Sequence, residues 1–274
     1  MKTILKWTAC AACAVWAGAS ASAATETVTG QNVIGLTTIE NDSRAYLPLA
    51  AAYTGTGATE LTVANVVQTA TLAEGDELYA YDHDPERKQY DVYTLGTDGK
   101  WTAVKTVEVS ASGTATETTS PAATDRVITR GRGFWIVRKA DVSRAKPVRL
   151  VGDVPATAAT VAIPAAAADG KPSATLIGVP SDWKLNETDW TGKAVRKDTI
   201  RVLNEDGEAW HEIHYDETKS KWIEYWQEMD ATTKTITFKT SDAPVLKGGY
   251  AVWYMRAGTD SFTLTLPFTL TLPR

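Results

Sequence analysis

Cysteine and histidine are almost missing from this chain of 274 residues, and their scarcity excludes much of the usual chemistry of sites. Both cysteines, Cys10 and Cys13, fall within the first 23 residues. Past that stretch there is no thiol to form a disulfide, to hold a metal as thiolate or to act as a nucleophile. Three histidines, His83, His211 and His214, leave few parts for base-catalysed or nucleophilic schemes. No apolar run reaches the ~20 residues of a spanning helix. Positive charge is not in excess either. The formal net charge is −5, and −7 once Lys2 and Lys6 are set aside, which argues against nucleic acid or an anionic membrane as a partner. There is no Gly-x-Ser-x-Gly, no phosphate loop and no Gly-x-Gly-x-x-Gly opening a helix. Catalytic residues, a metal and a cofactor are therefore not expected, although a glycosidase carboxylate pair among 33 acidic residues would escape a search by spacing.

What the chain does have begins with an export signal. Lys2 and Lys6 precede an apolar run over 7–18, and Ala21-Ser22-Ala23 supplies small residues for cleavage. The reading is a signal peptide over 1–23, removed near Ala23. The remaining chain is then secreted, periplasmic or at the cell surface, and does not span a membrane.

Past residue 25, period-2 alternation dominates, as in Leu78-Tyr79-Ala80-Tyr81, Phe134-Trp135-Ile136-Val137 and Ile200-Arg201-Val202-Leu203. Thr, Val, Tyr and Trp fill these runs, as strands favour. The pattern is also written twice. Gly75-Asp76 followed by a strand matches Lys197-Asp198 followed by a strand, and Lys100-Trp101 matches Lys221-Trp222. Gly133-Phe134 is paired in this reading with Gly249-Tyr250. The fold class expected is all-β, with two tandem related antiparallel β units over 24–153 and 154–274, each a sandwich or small barrel. Phe-Thr-Leu-Thr-Leu-Pro occurs at 262–267 and again at 268–273. The first copy is expected to close the fold, and the second to be an edge strand or a tail open to self-association.

Several short motifs support a resemblance. Asn32-Val33-Ile34-Gly35, Gly75-Asp76, Trp101, Gly131-Arg132-Gly133-Phe134 and Leu150-Val151-Gly152-Asp153-Val154, with Leu185-Asn186-Glu187 from the second half, match short motifs by which the chain resembles an uncharacterised family of secreted, internally duplicated β-rich proteins, paralogous in Verrucomicrobia-type bacteria. The resemblance implies architecture and export, and it brings no activity.

Candidate binding residues come from what the second unit adds. Trp183, Trp190, Trp210, Tyr225 and Trp226 lack aromatic counterparts in a rough alignment of the two halves, and on a regular strand Trp222, Glu224 and Trp226 share one face. Aromatic rings beside carboxylates suit sugar stacking, whereas a bulkier core is the plainer account. A second candidate is a basic strip, Arg130, Arg132 and Arg138, which suits an acidic glycan or a solvated strand edge. His211 and His214 are three apart, so on a strand they point to opposite faces and cannot share a metal. The function expected is an exported non-catalytic adhesion, matrix or assembly module. The alternatives are a carbohydrate-binding protein with a polysaccharide partner and, more remotely, a β-fold glycan hydrolase.

Overall fold

The computed structural model describes residues 34–266 except 41, 43, 82–88, 111–113, 121–123, 140, 205, 206, 208, 230, 231, 233 and 234. The signal segment, the turn around His83 and the second Phe-Thr-Leu-Thr-Leu-Pro stretch lie outside the described residues.

The first half contributes β1 (Ile34–Ile39), β2 (Tyr46–Ala50), β3 (Glu77–Tyr81), β4 (Gln89–Leu95), β5 (Trp101–Val109), β6 (Ala115–Ser120), β7 (Gly133–Val137) and β8 (Val148–Asp153). The second contributes β9 (Ala159–Ile163), β10 (Ser173–Gly178), β11 (Trp183–Lys184), β12 (Thr199–Leu203), β13 (Trp210–Asp216), β14 (Lys221–Met229), β15 (Ile236–Ser241), β16 (Val245–Leu246), β17 (Ala251–Arg256) and β18 (Phe262–Leu266). The chain is all-β and its strand pairs are antiparallel. A six-stranded sheet runs β2-β7-β3-β4-β5-β6 and another runs β10-β17-β12-β13-β14-β15. The two orders are the same, strand for strand. Among the described residues no sheet closes into a barrel: both six-stranded sheets are open.

Alternation decides which face of each sheet is buried. Leu47, Leu49, Leu78, Phe134 and Ile136 line the inner face of the first sheet. They are covered by the β1/β8 pair and by the chain between β2 and β3. In the second sheet Ile177, Ile200, Ile213, Trp222 and Tyr254 are covered by the β9/β18 pair with Trp183, Leu185 and Trp190. The opposite faces of the two sheets then meet each other. Gly133 makes that approach close, since a Cβ there would lie 2.5 Å from both Ala251 Cβ and Leu176 Cγ.

Strand register corrects one pairing drawn from the sequence. Glu77 faces Val137 as Thr199 faces Met255, so the counterpart of Gly249 is Gly131, two residues before Gly133. Both glycines have φ +85°, a region open to them because they lack a Cβ. Arg130-Gly131-Arg132-Gly133 offers two glycines, and letter matching favours the one next to the aromatic residue.

The seam between the halves exchanges equivalent bonds. The Ala50 N–H donates to the Gly249 carbonyl at 3.0 Å, and the Gly178 N–H donates to the Gly131 carbonyl at 2.9 Å. Leu49 bridges Tyr250, and Ile177 bridges Arg132. Such reciprocity is the signature of a two-fold contact, realised here within one chain. Each half also holds a fully buried aspartate at the same place. The Oδ2 of Asp76 accepts from the Ala73 N–H and its Oδ1 from the Lys139 N–H, both at 2.9 Å. Asp198 repeats this with Val195 at 3.1 Å and Ala257 at 2.7 Å.

A polar lock joins the halves on one side. Arg44 grips the Asp42 carboxylate through Nε and Nη2, and its Nη1 donates to the carbonyl of Asn204 at 3.0 Å. The Tyr250 hydroxyl donates to Asp42 Oδ2 at 3.0 Å. Burial by itself raises the carboxyl pKa of Asp42, but the hydrogen bonds and charge of Arg44, with help from Tyr250, outweigh it and hold the group below its ordinary 3.8. A depressed carboxylate pKa stabilises the fold above the unfolded value, and that contribution fades as pH falls through the folded value. Melting temperatures of wild type and Asp42→Asn should therefore differ at neutral pH and converge well below pH ~4. A gap that persists under acid would assign the stabilisation to something other than this carboxylate.

Candidate functional site

Where the two sheets splay apart, they enclose a cleft of about 380 Å³ lined by Tyr81, Tyr90 and Val109 from the first half and Ala174, Arg201, Trp210, Trp253 and Met255 from the second. This volume lies within the range of small-ligand sites. The aromatics hold one another in edge-on or tilted contacts. Tyr81 meets Trp253 with ring centroids 5.3 Å apart at 83°, and lies 4.9 Å from Tyr90. Trp135 packs on Trp210 at 5.9 Å and 78°. These are favourable quadrupole geometries, so the walls are set before any ligand arrives. Trp135 and Trp253 sit at matching positions of β7 and β17, and each reaches across to the other half.

The polar content of the cleft is small and ordered. Arg201 Nε donates to Glu212 Oε1 at 2.8 Å, and Glu212 Oε2 lies 3.3 Å from His214 Nε2. Burial, with the neighbouring Tyr81, pushes the Tyr90 hydroxyl up to about 12, so Tyr90 stays neutral and able to donate at any ordinary pH. A cleft with aromatic walls and a guanidinium held in place by a neighbouring carboxylate can stack a ring and hydrogen-bond its substituents.

Only one of the five aromatics marked from sequence lines this cleft, Trp210, which is 40% exposed. Trp210 does have an aromatic counterpart: Tyr90 faces Tyr81 at the end of the β3–β4 pair as Trp210 faces Leu203 at the end of β12–β13. Trp183 and Trp190 are buried and pack on each other at 5.7 Å, so they serve the core and are closed to a ligand. Tyr225 and Trp226 are adjacent on β14 and project from opposite faces of it. Trp222, Glu224 and Trp226 do share a face, but Trp222 is fully buried at the core end and Trp226 is exposed at the other. His211 and His214 also part, His211 lying 3.4 Å from Glu224 and His214 turning to Glu212.

The three arginines of the basic strip do not act together. Arg138 is fully buried, its guanidinium surrounded by the carbonyls of Asp42, Arg44, Ser143, Arg144 and Lys146, so no external acid can reach it. Arg130 Nη2 donates to the Ala158 carbonyl at 2.8 Å, and Arg132 Nη2 to the Ala162 carbonyl at 3.4 Å. Both carbonyls flank or belong to β9, whose other side pairs with β18. The two side chains thus cap a strand edge, as charged residues often do.

Tyr81, Tyr90, Arg201 and Trp253 were not among the candidates drawn from sequence. Their signal was present in strand alternation, which puts Tyr79, Tyr81 and Tyr90 on the face opposite Leu78 and Ala80. What was missing was the knowledge that this face meets a second sheet. Comparison of the chain with protein-family models, with curated proteins and with solved structures finds no match.

Proposed function

We propose that the protein is an exported, non-catalytic binding module that takes a segment of carbohydrate in the inter-sheet cleft. The observation that carries this reading is the convergence of Tyr81, Tyr90, Trp210 and Trp253 with Arg201 in one cleft, the guanidinium held by Glu212 beside it. Sugars offer an apolar C–H face for the rings and hydroxyls for the charged pair. The signal-like stretch over 1–23 supports export. Descent of the two halves from one duplicated unit is part of the proposal; its supports are the repeated strand order, the paired aspartates and the paired positive-φ glycines.

The test is migration of the purified protein through native gels cast with neutral and acidic polysaccharides. Retardation should appear on a subset of polymers. Trp253→Ala should abolish it, weakening affinity by about tenfold or more, which corresponds to about 1.4 kcal/mol. Trp226→Ala, on the other side of the sheet, should migrate like the wild type. Uniform mobility on every polymer would refute the reading, and breakdown of a polymer would replace it with hydrolysis. An assembly role has separate support from a different surface, the outer strand of the second sheet.

A further inference from the structure

We infer that β15 is a self-association edge, pairing antiparallel with β15 of a second copy of this chain, independently of what the cleft binds. β15 ends its sheet, and among the described residues no strand pairs with its other side. The strand is exposed along nearly its whole length, with Phe238 at 76% and Ile236 at 54%. Tyr225, on the neighbouring strand and the same face, is 45% exposed. An uncovered edge with apolar side chains is a template for another strand.

The first half supplies an internal control. Val104 faces Tyr93 and Ser120 as Glu224 faces Ile213 and Ser241. By that register Glu117 of β6 stands where Phe238 stands in β15, and Lys105 stands where Tyr225 stands. Lys105 Nζ and Glu117 Oε2 form an exposed ion pair at 3.4 Å, a charged guard of the kind that keeps edges from pairing. In the second half that pair is replaced by two aromatic rings. One of two equivalent edges is therefore guarded and the other opened, which favours a closed pair of molecules over an open-ended fibre.

The occupant follows from the charges of the strand. Ile236-Thr237-Phe238-Lys239-Thr240-Ser241 carries a single charged side chain, Lys239, on the opposite face from Phe238. If two copies pair antiparallel about Phe238, the two rings face each other, Ile236 faces Thr240, and Lys239 faces Thr237. No like charges are opposed, whereas centring on Lys239 would oppose two ammonium groups, which is unfavourable.

Sedimentation velocity of the purified protein over a wide concentration range tests this inference. The wild type should dimerise. Phe238→Glu, which installs the residue of the guarded edge, and Phe238→Lys should each be monomeric, with dissociation constants raised at least about tenfold. An equal mixture of the two variants should recover a heterodimer, which also shows that both are folded. A wild type that stays monomeric, variants that dimerise undiminished, or a mixture that fails to recover would each overturn the inference. So would a dimer lost on removal of residues 267–274, which would assign the contact to that segment. Polysaccharide retardation should persist in Phe238→Glu, which separates this result from that of the cleft.

Discussion

Asp198→Ala is expected to be strongly destabilising to the second half of the molecule. Its carboxylate is fully buried and accepts from the Val195 and Ala257 N–H groups, from the Tyr254 hydroxyl at 2.8 Å and from Arg256 Nη1 at 2.6 Å. Burial, together with the charge of Asp198, drives the Tyr254 hydroxyl far above its ordinary pKa, so it remains a donor that needs this acceptor. Alanine at 198 would leave the Arg256 guanidinium, 4% exposed, without its carboxylate. Breaking a buried pair in this way costs about 3–5 kcal/mol, against a total stability of roughly 5–15 kcal/mol for a domain. Asp76→Ala should be milder, about 1–3 kcal/mol. Among the described residues Asp76 holds two backbone N–H groups and the Ser143 hydroxyl, and the matching arginine, Arg138, donates to carbonyls instead. Urea titrations followed by tryptophan fluorescence measure both. Equal losses for the two variants would show that the Arg256 contact is not what sets them apart.

Gly178→Ala is expected to open the seam. A Cβ at 178 would fall 2.6 Å from the Arg132 carbonyl oxygen and 2.9 Å from Ala50 Cα. Those are backbone atoms in the other half and cannot swing aside as a flexible side chain does. Overpacking of this kind costs about 1–3 kcal/mol. Because it acts between the sheets, calorimetry should show one transition for the wild type and two for the variant, and polysaccharide retardation should fall with it. Gly192→Ala serves as the control, since its nearest outside neighbour is 3.9 Å away. A single, unshifted transition in Gly178→Ala would mean that the seam does not couple the halves.

The strands were legible because alternation writes them directly. The site was not. Alternation says that Trp135 and Trp253 face away from the core of their own sheet, but not that a second sheet waits there. Arg138 follows the last residue of β7, where the pattern ends and the chain turns the side chain into a nest of carbonyls. Trp183 and Trp190 lie on and beside a short irregular segment with no period to tell inward from outward. The excess of aromatics in one half thus had two sources, a bulkier cover for the core at Trp183 and Trp190 and exposed positions of β14 at Tyr225 and Trp226, and only the register of the sheets separates both from Trp210 of the cleft wall.

The strand order has a kinetic consequence. In the first sheet β7 lies between β2 and β3, so Leu49 waits for Phe134. The run β3 to β6 can form as successive hairpins within microseconds, but the sheet is incomplete until a strand from much later in the chain is inserted. β17 plays the same part between β10 and β12. Distant pairings of this kind slow all-β chains to milliseconds or seconds. The slow steps of folding are therefore expected at β7 and β17, the two strands that carry Trp135 and Trp253, so the cleft walls would be among the last parts to form.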